Sequence, residues 1–255
     1  MNRLSIVTVV KNDFDSLKST YWSIKSLAID YEWIVIDGGA DQETLLWMQL
    51  LDLSHVIYLR EQDKNLYDAM NKGILIASGT HVVFINAGDE LNNSTELMLV
   101  LNNLPIDNGF VGSIRRNRIK FPESYYTIKP SYFLNWTLRR GITPANHQAT
   151  IYPSIFLKFN LYDTELGLFA DQISIIELLK TQPVQISRKI VVSTFKNGGL
   201  GDNQSRGAFL EQMCKYNFQN GTNLQKLILI LQLPIILIAK VILSILHRIR
   251  ILFSR

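Results

Sequence analysis

Cysteine is almost missing from this chain: Cys214 is the single one in 255 residues. An intrachain disulfide and a cysteine-rich zinc site are therefore excluded, and the composition fits a reducing compartment. The four histidines are scattered rather than set at ligand spacing, so they suggest no zinc site either. No G-x-x-x-x-G-K-[ST] run occurs, which removes a P-loop. Gly198-Gly199-Leu200-Gly201 lacks the G-x-G-x-x-G spacing and comes late, so a dinucleotide site is unsupported. A G-x-S-x-G nucleophile elbow is absent as well. Charge of one sign is in small excess only, and a net +4 does not argue for nucleic acid as a partner. The opening MNRLSIVTVVKND has too short an apolar run for a secretory signal and lacks a small-residue cleavage site, so it reads as a buried strand. The sequence shows no internal repeat.

What is present is a core. The chain is 47% hydrophobic, enough for one large domain with an appendage. Strands are expected at residues 4–10, 32–36, 56–59 and 81–86, alternating with helices. Asp13 is placed to cap the first helix, which runs to about Leu27, and Asp41 to cap the second. The third helix, 66–77, sets Leu66, Met70, Ile74 and Ala77 on one face and is stopped by Ser78-Gly79. This alternation implies an α/β fold, a mostly parallel Rossmann-like sheet flanked by helices.

After Leu104-Pro105 the pattern changes. Residues 110–121 read as a strand pair interrupted by Arg115-Arg116-Asn117-Arg118, and 125–140 is aromatic, basic and hard to assign. A loop at 141–148 precedes a strand at 149–152. A helix is expected at 169–179, a strand at 185–194, a glycine-rich loop at 196–203 and a helix at 204–218. Residues 227–246 are almost wholly aliphatic, with Pro234 and Lys240 inside and His247-Arg248-Ile249-Arg250 following. Such a tail reads as a helix, or two short ones, lying in a membrane interface with its basic end on anionic lipid; a helix packed on the domain or in a dimer is the plainer alternative. The organisation expected is a domain over 1–220 and an apolar, basic-ended helical tail over 221–255.

Several polar residues lie where open α/β sheets bind ligands, past the carboxyl ends of strands. Asp37 ends a strand beside Gly38-Gly39; it reads either as an Asx turn or as an acceptor for a ligand's N–H or hydroxyl. Asp89 ends another strand, as a turn acid or as a ligand for a hard cation. Asp171 opens a helix, where the macrodipole alone would favour it. Lys64 is a solvated lysine unless a phosphate lies near, and His147-Gln148 stands in a loop.

SIVTVVKND, WIVIDGGADQET, EQDKNLYDAMNKGI and ASGTHVVFINAGDEL, in this order, resemble the inverting family 2 glycosyltransferases of GT-A type, closest to bacterial members that build polysaccharides and surface glycans. The likeness is strong over 1–105 and continues through HQATIY, FADQ and FKNGGLGD to about residue 220. It implies a nucleotide-sugar-binding half over 1–105 and an acceptor half over 106–220. It implies that Asp37 recognises the donor's base, usually uridine, with Thr8 and Asn12 as pocket wall, and that Lys64, Asn71 and Asn86 line the donor site. Asp89 matches the last acid of the metal-binding motif, for Mn²⁺ or Mg²⁺. The family often has two or three acids there, whereas this chain reads Asn86-Ala87-Gly88-Asp89. Asp171 matches the catalytic base, His147 and Gln148 face the acceptor, and 198–201 resembles a mobile active-site segment. The implied partners are a nucleotide-sugar, a glycan or lipid-linked acceptor and the cytoplasmic face of the plasma membrane. A glycoside hydrolase, a nucleotide-sugar-forming enzyme and a non-catalytic membrane-associated binding protein are the rival readings; nucleotide binding separates the first from a transferase.

Overall fold

The computed structural model describes residues 3–51, 54–118, 121–126 and 145–196, with 212, 214–216, 218–219, 221, 223 and 226. The chain starts with β1 (Leu4–Val10), α1 (Phe14–Ile24), β2 (Tyr31–Asp37), α2 (Gln42–Leu50), β3 (Val56–Arg60), α3 (Leu66–Ile76) and β4 (His81–Phe84). β1 lies between β2 and β4, and β3 flanks β2; all these pairings are parallel. All seven residues of β1 are buried because both faces of the sheet are covered. Leu4, Ile6 and Val10 face the layer of α1 and α2, while Val7 and Val9 face α3, as a period of two requires.

The expected caps form. Asp13 accepts from the Ser16 N–H at 3.2 Å, and Asp41 from the N–H groups of Glu43 and Thr44. Asn65 caps α3 through Tyr67 and Asp68. Met70 and Ile74 of that helix, and Ala77 just past its end, are buried against the sheet, with Leu66 packed at the margin. Just past α3, the N–H groups of Ser78 and Gly79 donate to the buried carboxylate of Glu32 on β2.

The second half departs from the sequence reading. β5 (Glu90–Leu91), α4 (Thr95–Asn103), β6 (Gly109–Arg118), β7 (Phe121–Tyr126), β8 (Thr150–Pro153), α5 (Ser154–Phe159), α6 (Ala170–Thr181) and β9 (Val184–Lys196) follow. The strand order is β3-β2-β1-β4-β8-β6-β9-β5, with β7 on β6. The sheet is therefore mixed, not mostly parallel: β8 is antiparallel to β4 and to β6. Regular β/α alternation ends at Leu104, and an antiparallel return needs no crossover helix. The arginines at 115–118 do not interrupt a hairpin; they lie within β6, which is paired to β9 and β7 and absorbs the irregularity as register shifts. β5, α5 and the 3₁₀ turn Thr164–Phe169 escaped the sequence reading.

Gln212, residues 214–216 and residues 218–219 are helical, and the Tyr216 ring meets Phe169 edge-on at 5.9 Å. The glycine-rich segment 198–201 and the apolar stretch 227–246 lie outside the described residues. Among the described residues no helix is long and apolar enough to cross a membrane.

Candidate active site

The carboxyl ends of β1, β2 and β4 open on one edge of the sheet, and β8, running the opposite way beside β4, begins at that same edge. Residues just after the first three strands and just before β8 are thereby gathered, although more than a hundred positions separate Asn12 from His147.

Asp37, the last residue of β2, is 1% exposed. Its Oδ1 accepts from the Gly39 N–H at 2.8 Å, so the Asx turn forms. Its Oδ2 accepts from the Tyr58 hydroxyl at 2.7 Å, with Arg60 Nε at 3.7 Å. The sequence reading missed Tyr58 and Arg60. Two residues apart on β3, they share one strand face, and Arg60 stands opposite Asp37 in register. Burial, and then the hydrogen bond and charge of Asp37, push the Tyr58 phenol well above its ordinary range, so it remains a neutral donor.

Asn12 adopts a left-handed backbone, φ 53°, and its Oδ1 accepts from the N–H groups of Ala40 and Asp41 at 2.8 and 3.2 Å. It thus ties the end of β1 to the turn after Asp37. Asp63, also missed, forms an ion pair with Lys11 at 3.8 Å and packs on Gly38, where a β-carbon would overlap its carboxylate. Lys64 is exposed nearby in sequence, and its N–H donates to Asp68.

Two expected donor-site residues sit elsewhere. Thr8 is wholly buried, two positions back from the end of β1, and its hydroxyl accepts from the Trp33 indole N–H at 2.9 Å. Its side chain belongs to the α1 and α2 face of the core rather than to a pocket wall. Asn71 spends both ends of its amide on the backbone of Tyr162, at 2.8 and 2.9 Å, and so staples α3 to the segment before α6.

Asp89 is buried, 4% exposed, in a turn closed by its own N–H on the Asn86 carbonyl. Gly88 holds φ 95° in that turn, a conformation suited to glycine. Asp89 caps no helix; α4 is capped by Ser94. Its Oδ2 instead accepts a short hydrogen bond from Gln148 Nε2. Asn86 Oδ1 is buried without a partner. That orphaned amide oxygen, three residues from a carboxylate, fits a hard cation that takes its remaining ligands from phosphate and water. Among the described residues no group of three or more His, Cys, Asp or Glu side chains is set to hold a metal.

Asp171 stands in the first turn of α6, and its Oδ2 lies 2.9 Å from His147 Nδ1. A carboxylate only accepts, so His147 is the donor. Asp171 Oδ1 and His147 Nε2 are buried and unpartnered. Behind them lie Tyr67, Tyr152 and Tyr162, the first and last with ring centroids 5.1 Å apart. Burial raises the pKa of all three, and the charge of Asp171 adds to it, so they surround the acid as neutral phenols. His147 and Gln148 are consecutive in the 3₁₀ turn His147–Ala149, which leads into β8. Asp89, Gln148, His147 and Asp171 thus form one chain of contacts. An acid over a strand end, a buried acid with an amide oxygen near it in sequence and an acid with an unpartnered oxygen are a set suited to holding a polar substrate and removing a proton.

The family model for glycosyl transferase family 2 matches residues 5–163, more than half of the sequence. The chain belongs to glycosyl transferase family 2. Within it, the chain is similar to an uncharacterized glycosyltransferase of Mycobacterium tuberculosis, 26% identical over 217 residues, covering 80% of this chain and 79% of that protein. A shorter similarity, 35% over 74 residues, links 28% of the chain to 29% of a PGL/p-HBAD biosynthesis glycosyltransferase of Mycobacterium bovis. Among solved structures, TarS 1-349 of S. aureus in complex with UDP-GlcNAc gives a TM-score of 0.65 at 15% identity, covering 85% of this chain and 66% of that one. The mannosyltransferase PcManGT of Pyrobaculum calidifontis, in complex with GDP-Man and Mn²⁺, gives 0.60 at 14%, covering 87% and 65%. The chain thus spans just under two thirds of either solved structure, and at these identities they share its fold. The mixed sheet flanked by helices is the fold that the chain shares with these two solved glycosyltransferases.

Proposed function

We propose that this family 2 glycosyltransferase moves a sugar from a nucleotide-sugar, with uridine diphosphate as the nucleotide, to an acceptor hydroxyl, with inversion at the anomeric carbon. The observation that carries the reading is the contact chain from Asp89 through Gln148 and His147 to Asp171. It brings an acid suited to the diphosphate side and an acid suited to the acceptor side onto one edge of the sheet.

In the reaction, Asp171 Oδ1 takes the proton of the acceptor hydroxyl as that oxygen attacks the anomeric carbon. The bond from that carbon to the diphosphate breaks on the opposite face, and its electron pair leaves with the nucleoside diphosphate. A positioned base of this kind contributes about 10²–10⁴-fold. Asp37 accepts a hydrogen bond from the base of the nucleotide, and Asn12 holds the loop around it. Lys64 adds positive charge on the donor side. Asp89 and Asn86 would hold Mn²⁺ or Mg²⁺, which supplies charge neutralisation on the leaving diphosphate. The aliphatic residues 227–246 and the basic run after them suit attachment to the cytoplasmic face of the plasma membrane and a lipid-linked glycan acceptor.

The test follows nucleoside diphosphate released from UDP-, GDP- and dTDP-sugars, with a membrane extract as the source of acceptor. Release from a UDP-sugar, abolished by Asp171→Asn, is expected. Folded protein that releases nothing from any of the three donors would defeat the reading.

A further inference from the structure

The two residues expected at the acceptor, His147 and Gln148, touch acids instead. His147 Nδ1 meets Asp171 Oδ2 at 2.9 Å, and both side chains are nearly buried, 12% and 13% exposed. Gln148, 2% exposed, gives its side-chain N–H to Asp89 Oδ2. The turn that carries them is itself pinned. Asn146 Oδ1 accepts from the Gln148 N–H at 2.8 Å, and the Thr150 hydroxyl donates to the Asn146 carbonyl at 2.8 Å. The buried Ser193 hydroxyl of β9 donates to the Gln148 carbonyl at 2.6 Å. One rigid dipeptide therefore grips an acid on each side, one at the end of β4 and one on α6.

We infer that His147 and Gln148 are positioning residues: a yoke that fixes the spacing of the base acid Asp171 and the diphosphate-side acid Asp89, rather than acceptor contacts. The inference rests on the sugar-transfer reading for the roles of the two acids, but not for the contacts. By occupying Oδ2, His147 leaves Oδ1 of Asp171, buried and unpartnered, as the oxygen that remains to accept a hydroxyl proton. The donated Nδ1–H also selects the Nδ1–H tautomer of the neutral ring. Gln148 occupies one oxygen of Asp89 with a neutral donor, which orients the other without placing a competing positive charge beside it. Because the two residues are adjacent, a shift of α6 relative to β4 is resisted by both contacts. A misplacement of about 1 Å at such a site costs about 10²-fold in rate.

A double-mutant cycle reads this directly. With a UDP-sugar as donor, His147→Ala is expected to lower kcat about 10²-fold with the acceptor KM within twofold, and to add less than threefold in an Asp171→Asn background. His147→Asn, which keeps a short N–H donor, is expected to recover part of the loss. Gln148→Ala is expected to weaken Mn²⁺-dependent UDP binding in calorimetry, and to add nothing in Asp89→Asn. Independent of turnover, ¹⁵N spectra of the full chain are expected to show His147 protonated at Nδ1, and to lose that bias in Asp171→Asn. An acceptor KM that rises with kcat unchanged, or losses that multiply in both double mutants, would overturn the yoke. A wild-type chain that transfers no sugar yet shows the Nδ1 tautomer would fail the functional reading and leave the contact standing; the Nε2 tautomer in the wild type would sink the inference itself.

Discussion

Replacing Glu32 should weaken the protein without touching its chemistry. The carboxylate is 1% exposed at the start of β2, at the opposite end of the strand from Asp37. It accepts from the Ser5 hydroxyl at 2.5 Å, the Ser78 and Gly79 N–H groups at 2.6 and 3.0 Å, and the Ser78 hydroxyl at 2.7 Å. Burial raises its pKa, but those hydrogen bonds outweigh burial and the net shift is downward. A hydrogen bond to a charged group contributes about 1.5–3 kcal/mol and a neutral one about 0.5–1.5. Glu32→Gln keeps the shape and an acceptor oxygen while removing the charge. Four bonds weakened by about 1 kcal/mol each, offset by relief from burying a charge, give a loss of about 2 kcal/mol. In a domain of this size that is about 4–8 °C in Tm. Glu32→Ala leaves buried donors unpaired and should cost about 4 kcal/mol. The folded pKa lies below the unfolded one, so the contribution is complete above the ordinary glutamate range and is lost as pH falls through the folded value. Urea unfolding at several pH values measures both effects. Equal midpoints for wild type and Glu32→Gln at neutral pH, or an unchanged acid slope in the variant, would mean that the Glu32 charge does not stabilise the fold.

Other outcomes follow from the same contacts. Asp171→Asn should cut turnover by about 10²–10⁴-fold while UDP affinity, by calorimetry, stays within twofold. Tyr58→Phe removes a donor that occupies Asp37, so UDP should bind more tightly although urea unfolding shows a loss of about 1 kcal/mol; weaker UDP binding would contradict this. His81 is buried with Nε2 against the carbonyls of Pro105 and Asn108, and burial lowers its pKa. Its contribution is present above the ordinary histidine value and lost as pH falls below about 6.5. A His81→Gln variant should lack that part of the acid slope in urea unfolding.

Much of the fold can be read from periodicity, and the exceptions have physical reasons. β1, β2 and β4 are mostly apolar, almost wholly buried runs because both sheet faces are covered, and α3 shows its buried face at helical spacing. β5 has two residues and α5 six, too short for any period to emerge. The arginines of β6 look like a turn to a reading based on polarity, yet the strand is held by partners on both sides. At the site, Asp37 and Asp89 stand out as polar groups ending apolar strands. What touches them does not stand out. Tyr58 reaches Asp37 only through the register of β3 on β2, and Gln148 reaches Asp89 only because β8 returns antiparallel beside β4. The pairing of His147 with Asp171, 24 residues apart, depends on the same return. Thr8 and Asn71 show the converse: a polar residue in a motif can be consumed by the core, by Trp33 in one case and the Tyr162 backbone in the other.

The proposed transfer requires a uridine nucleotide seated at Asp37 with its diphosphate toward Asp89. Calorimetric titration of the full chain in detergent with UDP, with and without Mn²⁺, compared with Asp37→Ala, tests it most directly. Binding by the wild type is expected, strengthened by Mn²⁺ and weakened at least about tenfold, or 1.4 kcal/mol, in Asp37→Ala. Folded wild-type protein that binds no UDP in either buffer, or an Asp37→Ala variant that binds it as tightly as the wild type, would contradict it.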